Sequence, residues 1–182
     1  WTAPSGHAAV TDDFESYADW AISGVGEWSM YDGDYSATYY INNGIEYDNA
    51  TARKAFQVLN VNALGIDIWD QGKAHSGNKL MAAMACVDWL ISPRLNGAEQ
   101  WVSFYARSFT TDGIAPERML FYTSPASANI SDFVPITPRY IELDGMWREF
   151  RYYLPEGTRY FAIACVSHDS FAMFVDDVSF ND

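Results

Sequence analysis

Short runs of aromatic and β-branched residues recur along the whole chain, each closed by a turn residue. Trp101-Val-Ser-Phe-Tyr-Ala-Arg107 is the clearest of them. In Trp147-Arg-Glu-Phe-Arg-Tyr-Tyr-Leu154 the pair Arg148 and Glu149 interrupts the apolar pattern, and Pro155-Glu-Gly157 then turns into Arg159-Tyr-Phe-Ala-Ile-Ala-Cys165. Such runs predict strands, because branched and aromatic side chains suit a pleated, half-buried surface. The pattern places strands at 12–16, 26–31, 37–41, 54–58, 64–69, 79–87, 89–94, 100–107, 118–124, 147–154, 159–167 and 172–180. Asn42-Asn43-Gly44, Ser76-Gly77-Asn78, Asn96-Gly97 and Asp144-Gly145 punctuate them. Many short strands at regular spacing imply an all-β sandwich or barrel. Apolar spacing of three and four is not sustained, so the one helical expectation is a short turn near Ser131-Asp-Phe133. Residues 1–11 read as a leader or linker remnant, and 12–182 as one domain. The start at Trp1 reads as a processed end, which favours export.

Charge and composition narrow the function classes. The 24 acidic and 11 basic side chains leave a formal charge of −13. That field repels polyanions, so nucleic-acid binding through phosphates is not expected. It attracts cations, which brings calcium into consideration. Aromatic residues make up 16% of the chain and charged ones only 19%, too apolar a balance for disorder. No run approaches the roughly 18 apolar residues of a membrane-spanning helix, so no membrane insertion is expected. Phosphate-loop, zinc-protease and serine-elbow motifs are all missing. His7, His75 and His168 are isolated in sequence. Cys86 and Cys165 could pair or could be two buried thiols.

Four constellations carry chemistry. In Thr11-Asp12-Asp13-Phe14-Glu15-Ser16 a strand would point Asp13 and Glu15 one way and Phe14 the other. In Phe174-Val-Asp-Asp-Val-Ser-Phe180 the carboxylate of Asp176 shares a face with Phe174, Val178 and Phe180. A carboxylate in an apolar row is costly unless compensated, and a hard cation with oxygen ligands is one compensator. If the first and last strands lie side by side, a metal between Glu15 and Asp176 pins both. The alternative is that Asp176 accepts hydrogen bonds from backbone amides. Tyr31-Asp-Gly-Asp-Tyr35 is a turn with two further oxygen donors, Asp32 and Asp34, and a candidate second cation contact. Lastly, Trp20, Trp28, Tyr31, Tyr35, Tyr39, Tyr40, Tyr47 and Trp69 crowd the first third of the chain among Asn, Asp and Gly. Flat rings beside polar donors suit sugar faces, but the same residues are ordinary sandwich filling.

The order of these pieces resembles a known family. His75-Ser-Gly-Asn-Lys-Leu80 is followed by Asp88-Trp-Leu-Ile-Ser-Pro93, Trp101 to Arg107, Arg118-Met-Leu-Phe-Tyr-Thr-Ser124, Ser131-Asp-Phe133, Trp147, Tyr160 to Ala164 and Phe174-Val-Asp-Asp-Val178. With Asp13-Phe-Glu15 and Asp32-Gly-Asp34 the match covers about residues 12–180. It resembles the cleaved adhesin, or choice-of-anchor, domains of Bacteroidetes surface proteins, such as the haemagglutinin-adhesin modules of the gingipains. The resemblance implies a jelly-roll β-sandwich, similar to galactose-binding and MAM-type domains, with structural calcium (Ca2+) and no catalytic residues. Its calcium ligands carry over onto Glu15 and Asp176, with Asp13, Asp177 and carbonyls near Gly77 and Asn78 as neighbours. It also implies a secreted or cell-surface accessory module, adhesive or carbohydrate-binding, whose partner is a glycan or a host surface protein. The ligand-facing candidates are Tyr31, Tyr35, Tyr39, Tyr40 and Trp69. Two other readings stand beside this one: a glycoside hydrolase or lyase on the same scaffold, and a spacer domain without a ligand.

Overall fold

The computed structural model describes residues 9–84, 87–109, 116–168 and 170–181. Its strands are β1 (Val10–Asp12), β2 (Ser29–Asp32), β3 (Phe56–Asn60), β4 (Lys79–Ala83), β5 (Asp88–Ile91), β6 (Gln100–Ser108), β7 (Glu117–Ser124), β8 (Val134–Pro135), β9 (Ile141–Leu143), β10 (Arg148–Leu154), β11 (Tyr160–Cys165) and β12 (Met173–Phe180). Two 3-10 turns, Asp70–Gly72 and Ile130–Asp132, are the helical elements among the described residues. None of the described helices is long and apolar enough to cross a membrane.

The strands form two antiparallel sheets stacked as a jelly-roll β-sandwich. The first runs β10-β6-β12-β4-β3, with β1 joined to β12. The second runs β2-β5-β11-β7-β8, with β9 joined to β7. β12 changes neighbours along its length: Met173, Phe174 and Val175 pair with β4, while Val178, Ser179 and Phe180 pair with β1. The exchange occurs at a bulge between Asp176 and Ser179, where Asp177 takes a φ of 47°.

Alternation along the strands builds the core between the sheets. Val102, Phe104 and Ala106 of β6 point inward, as do Met173, Val175, Val178 and Phe180 of β12. Phe104, Phe121 and Phe161 stack in series at 5.8 and 5.5 Å, which crosses from one sheet to the other. A second cluster lies on the outer face of the first sheet. Leu59, Leu80, Ala82 and Phe174 are covered there by Ile41, Leu64, Ile66 and Phe109 from the connections. β4 is therefore buried on both faces, and its sequence is correspondingly a continuous apolar run rather than an alternating one. A third cluster, around Trp89, Phe133 and Ala164, lies on the outer face of the second sheet.

Most expected strands are present, with shifted ends. Three are not strands. Of segment 12–16 only Asp12 joins β1, and Asp13 to Ser16 turn, with Phe14 at a φ of 58°. Segment 37–41 has a single bridge, Ala37 to Arg53. Segment 64–69 turns locally, with Leu64 N–H donating to Asn60 O and Ile66 N–H to Val61 O. The apolar residues of these last two segments cover a sheet face instead of joining a ladder. β1 begins at Val10, so two residues of the expected 1–11 remnant belong to the sandwich. β8 and β9 were not anticipated, and the turn expected near Ser131 is the 3-10 turn at Ile130–Asp132. Residues 1–8, with His7, and Cys86 lie outside the described residues. Cys165 is buried in β11, with its Sγ 3.2 Å from Glu117 Oε2.

Glu117 itself is buried, and its Oε1 has no partner among the described residues. Burial raises its carboxyl pKa above the usual glutamate range. A raised carboxyl favours folding at low pH, and that contribution is lost as pH rises through the folded-state value. Glu117→Gln should therefore melt progressively higher than the parent as pH increases above the ordinary glutamate range, and thermal melts from pH 4 to 9 would read the trend.

Candidate functional site

Two carboxylates hold the same short stretch, His75 to Lys79, where the β3–β4 connection enters β4. Asp176 is fully buried in β12. Its Oδ2 accepts the N–H groups of His75 and Ser76 at 2.9 and 3.2 Å, and its Oδ1 that of Asp177 at 2.8 Å. Glu15 Oε1 accepts the N–H groups of Asn78 and Lys79 at 2.7 and 2.5 Å. Asp177 Oδ1 accepts the Ser76 hydroxyl at 2.7 Å, and the His75 ring stacks on Tyr105 at 3.5 Å. Asp13 is exposed and accepts Glu15 N–H within its own turn. Asn78 contributes its main-chain N–H, while its carbonyl accepts Val61 N–H at 2.8 Å. Glu15 and Asp176 thus join the two chain ends to the β3–β4 connection, and backbone amides occupy the oxygens described. Burial first, then the charge of Asp177, pushes the Asp176 carboxyl up to about 8.

A second carboxylate group is of a different kind. Asp32, Asp34 and Asp88 bring their oxygens within 4.8 Å of one another, the one such group of three ligand residues among those described. Asp32 and Asp88 face each other directly across β2 and β5, where like charges repel. Asp32 Oδ1 accepts Tyr35 N–H at 2.6 Å and Asp34 Oδ1 accepts Ser36 N–H at 2.7 Å, which shapes the turn. Gly33 is needed there: its N–H donates to Val87 O at 2.9 Å, and a Cβ would stand 2.6 Å from that oxygen. Asp88 is 1% exposed, and neither of its side-chain oxygens has a hydrogen-bond partner among the described residues. Burial pushes its carboxyl up to about 8, with Asp34 and Asp32 adding to the rise and the nearby Gly33 amide offsetting it in part. The charge of the buried Lys54 ammonium also offsets this rise in part, but the group makes no ion pair with Asp88 among the described residues. It donates instead to Thr38 Oγ1 and to the carbonyls of Asn49 and Ala50, and burial pushes it down to about 8.

An all-carboxylate donor set with orphaned buried oxygens fits a hard divalent cation such as calcium. Asp32 and Asp34 were legible from the turn. Asp88 was not, although it opens a strand of four buried residues, a position where a lone carboxylate is anomalous.

The aromatic candidates separate. Tyr31 and Tyr35 belong to the Asp32–Asp34 turn on the second sheet. Tyr40 packs edge-on against Tyr47. Tyr39 stacks on Phe171 at 5.2 Å. Trp69 is exposed at the mouth of a groove over the first sheet, also lined by Asn42, Asn43, Gln71 and Phe171, which the sequence did not single out.

Solved structures share this fold. The K2 cleaved adhesin domain of Lys-gingipain superposes with a TM-score of 0.70 and 20% identity, over 96% of this chain and all of that one. This is the fold of a cleaved adhesin domain. The K1 domain of Lys-gingipain from Porphyromonas gingivalis gives a TM-score of 0.65 at 18% identity, covering 97% of this chain and 99% of its own. TmCBM61, solved in complex with β-1,4-galactotriose, gives 0.52 at 12% identity, over 86% of this chain and 90% of that chain. No protein-family model and no curated protein matches the sequence. In the cleaved-adhesin fold as built here, the Asp176 anchor should be costly to remove. Asp176→Ala leaves three amides without their acceptor and should lower stability by roughly 2–3 kcal/mol, with Asp176→Asn losing less, as read by denaturant unfolding.

Proposed function

We propose that this chain is a non-catalytic, calcium-stabilised glycan-binding module of a secreted or cell-surface protein. The observation that carries this is the cleaved-adhesin fold over 96% of the chain, combined with the buried, unpartnered Asp88. Asp32, Asp34 and Asp88 would hold the cation, which supplies a positive charge beside the buried Asp88 carboxylate. Glu15, Asp176, Asp13, Asp177 and the Asn78 region form a second calcium candidate, in which amides already share the oxygens.

A binding role is favoured over hydrolysis by where the carboxylates lie. Glycoside hydrolysis needs two carboxyl groups facing each other across a cleft, roughly 5–9.5 Å apart. Here Asp88, Asp176 and Glu117 are buried, and the described residues lining the groove over the first sheet include no carboxylate. The galactotriose bound to the fold neighbour, together with exposed aromatic residues beside amides, favours a glycan as the partner.

The test is a thermal melt with calcium and with EDTA, on the parent and on Asp88→Asn. The parent should gain several degrees from calcium, because a ligand bound by the folded state alone adds to its stability. Asp88→Asn should lose that gain, yet melt above the parent in EDTA near pH 8, since the amide removes a buried unpaired charge. Equal melts with and without calcium in the parent would contradict the cation assignment.

A further inference from the structure

Four connections converge over the outer face of the first sheet and leave a cavity of about 410 Å3 between them. The β2–β3 connection supplies Ile41, Asn42 and Asn43, and the β3–β4 connection Trp69 and Gln71. Phe109 follows β6 and Phe171 precedes β12. The volume falls in the lower part of the roughly 300–1,000 Å3 range of small-ligand sites.

The aromatic walls are fixed from behind. Phe171 stacks on Tyr39 at 5.2 Å and packs on Phe109 at 5.5 Å, and the Tyr39 hydroxyl donates to the Phe171 carbonyl. Trp69 leads into the 3-10 turn Asp70–Gly72, and its N–H donates to Ile66 O at 3.1 Å. A Cβ on Gly72 would collide with the Ile66 carbonyl, so glycine lets this turn seat against the chain beneath it. The buried Arg107 side chain then ties the turn to β6, donating from Nη1 to Asp70 O at 3.1 Å. The indole of Trp69 is 43% exposed on this braced backbone.

The polar lining is made of primary amides. Asn42 is anchored by its Nδ2 donating to Leu64 O at 2.8 Å. The side chains of Asn43 and Gln71 make no hydrogen bond among the described residues. Each amide offers donors and an acceptor, which matches hydroxyl groups that both give and take. Among the described residues the lining contains no charged side chain. A charged ligand would find no counter-ion among them, and an anionic one would also meet the field of a chain with charge −13.

We infer that this cavity is the glycan site and that it takes one or two uncharged pyranose units, stacked on Trp69 and read through Asn42, Asn43 and Gln71. The inference rests on the glycan-binding reading above and adds the location and the charge class.

The experiment is calorimetric titration of the calcium-supplemented protein with neutral probes (galactotriose, cellotriose, xylotriose, mannotriose) and acidic ones (trigalacturonic acid, sialyllactose). The parent, Trp69→Ala, Gln71→Ala and, as a control on an exposed tryptophan elsewhere, Trp101→Ala are compared, each with a melt to confirm folding. A neutral probe should bind the parent and Trp101→Ala alike, with about tenfold or greater weakening in Trp69→Ala and a smaller loss in Gln71→Ala. Binding that survives in folded Trp69→Ala and Gln71→Ala would overturn the location and leave the module reading standing. Binding of acidic probes alone would overturn the charge class. No binding of any probe to the folded parent would overturn the inference and the glycan reading together.

Discussion

The buried carboxylate of Asp176 is the interaction on which the rest of the structure depends. It sits where β12 exchanges β4 for β1, and it accepts the amides that start the return of the β3–β4 connection. Glu15 holds the same end of that connection, where it enters β4, at Asn78 and Lys79. One connection is thereby fastened to both termini of the sandwich. The same connection carries Ile66, which covers the first sheet, and Trp69, which faces solvent. A bulge in the last strand and an exposed tryptophan about a hundred residues earlier are therefore parts of one construction.

Buried charge is the second organising theme. A folded chain tolerates a carboxylate in its interior when amides or a counter-ion replace lost water. Asp176 follows the first route, with three amides. Among the described residues Asp88 has no such set of amides and no ion-paired ammonium, and it faces Asp32 across the ladder. That imbalance, rather than the number of acidic residues, is what singles out the Asp32–Asp34–Asp88 group. The surrounding acidity of the chain would raise the local concentration of any cation that corrects it.

Much of the fold was legible because strands such as Trp101 to Arg107 and Trp147 to Leu154 announce themselves by composition, and because Asp176 is conspicuous in an apolar row. Its pairing with the loop at His75 was not legible, since a contact across a hundred residues leaves no local signal. Segments 37–41 and 64–69 read as strands for a related reason: an apolar residue that caps a sheet looks the same in sequence as one that belongs to it. Asp88 was hidden because its meaning depends on lying opposite Asp32, which register alone reveals. Tyr31, Tyr35, Tyr39, Tyr40 and Trp69 were grouped by proximity in the chain, yet the fold distributes them between the two sheets.

The most direct measurement is anomalous diffraction from a crystal of this protein grown with calcium. The account predicts a calcium peak among Asp32, Asp34 and Asp88, with carboxylate oxygens at about 2.3–2.6 Å. An empty density there, with Asp88 instead protonated and hydrogen-bonded within the sheet, would contradict it.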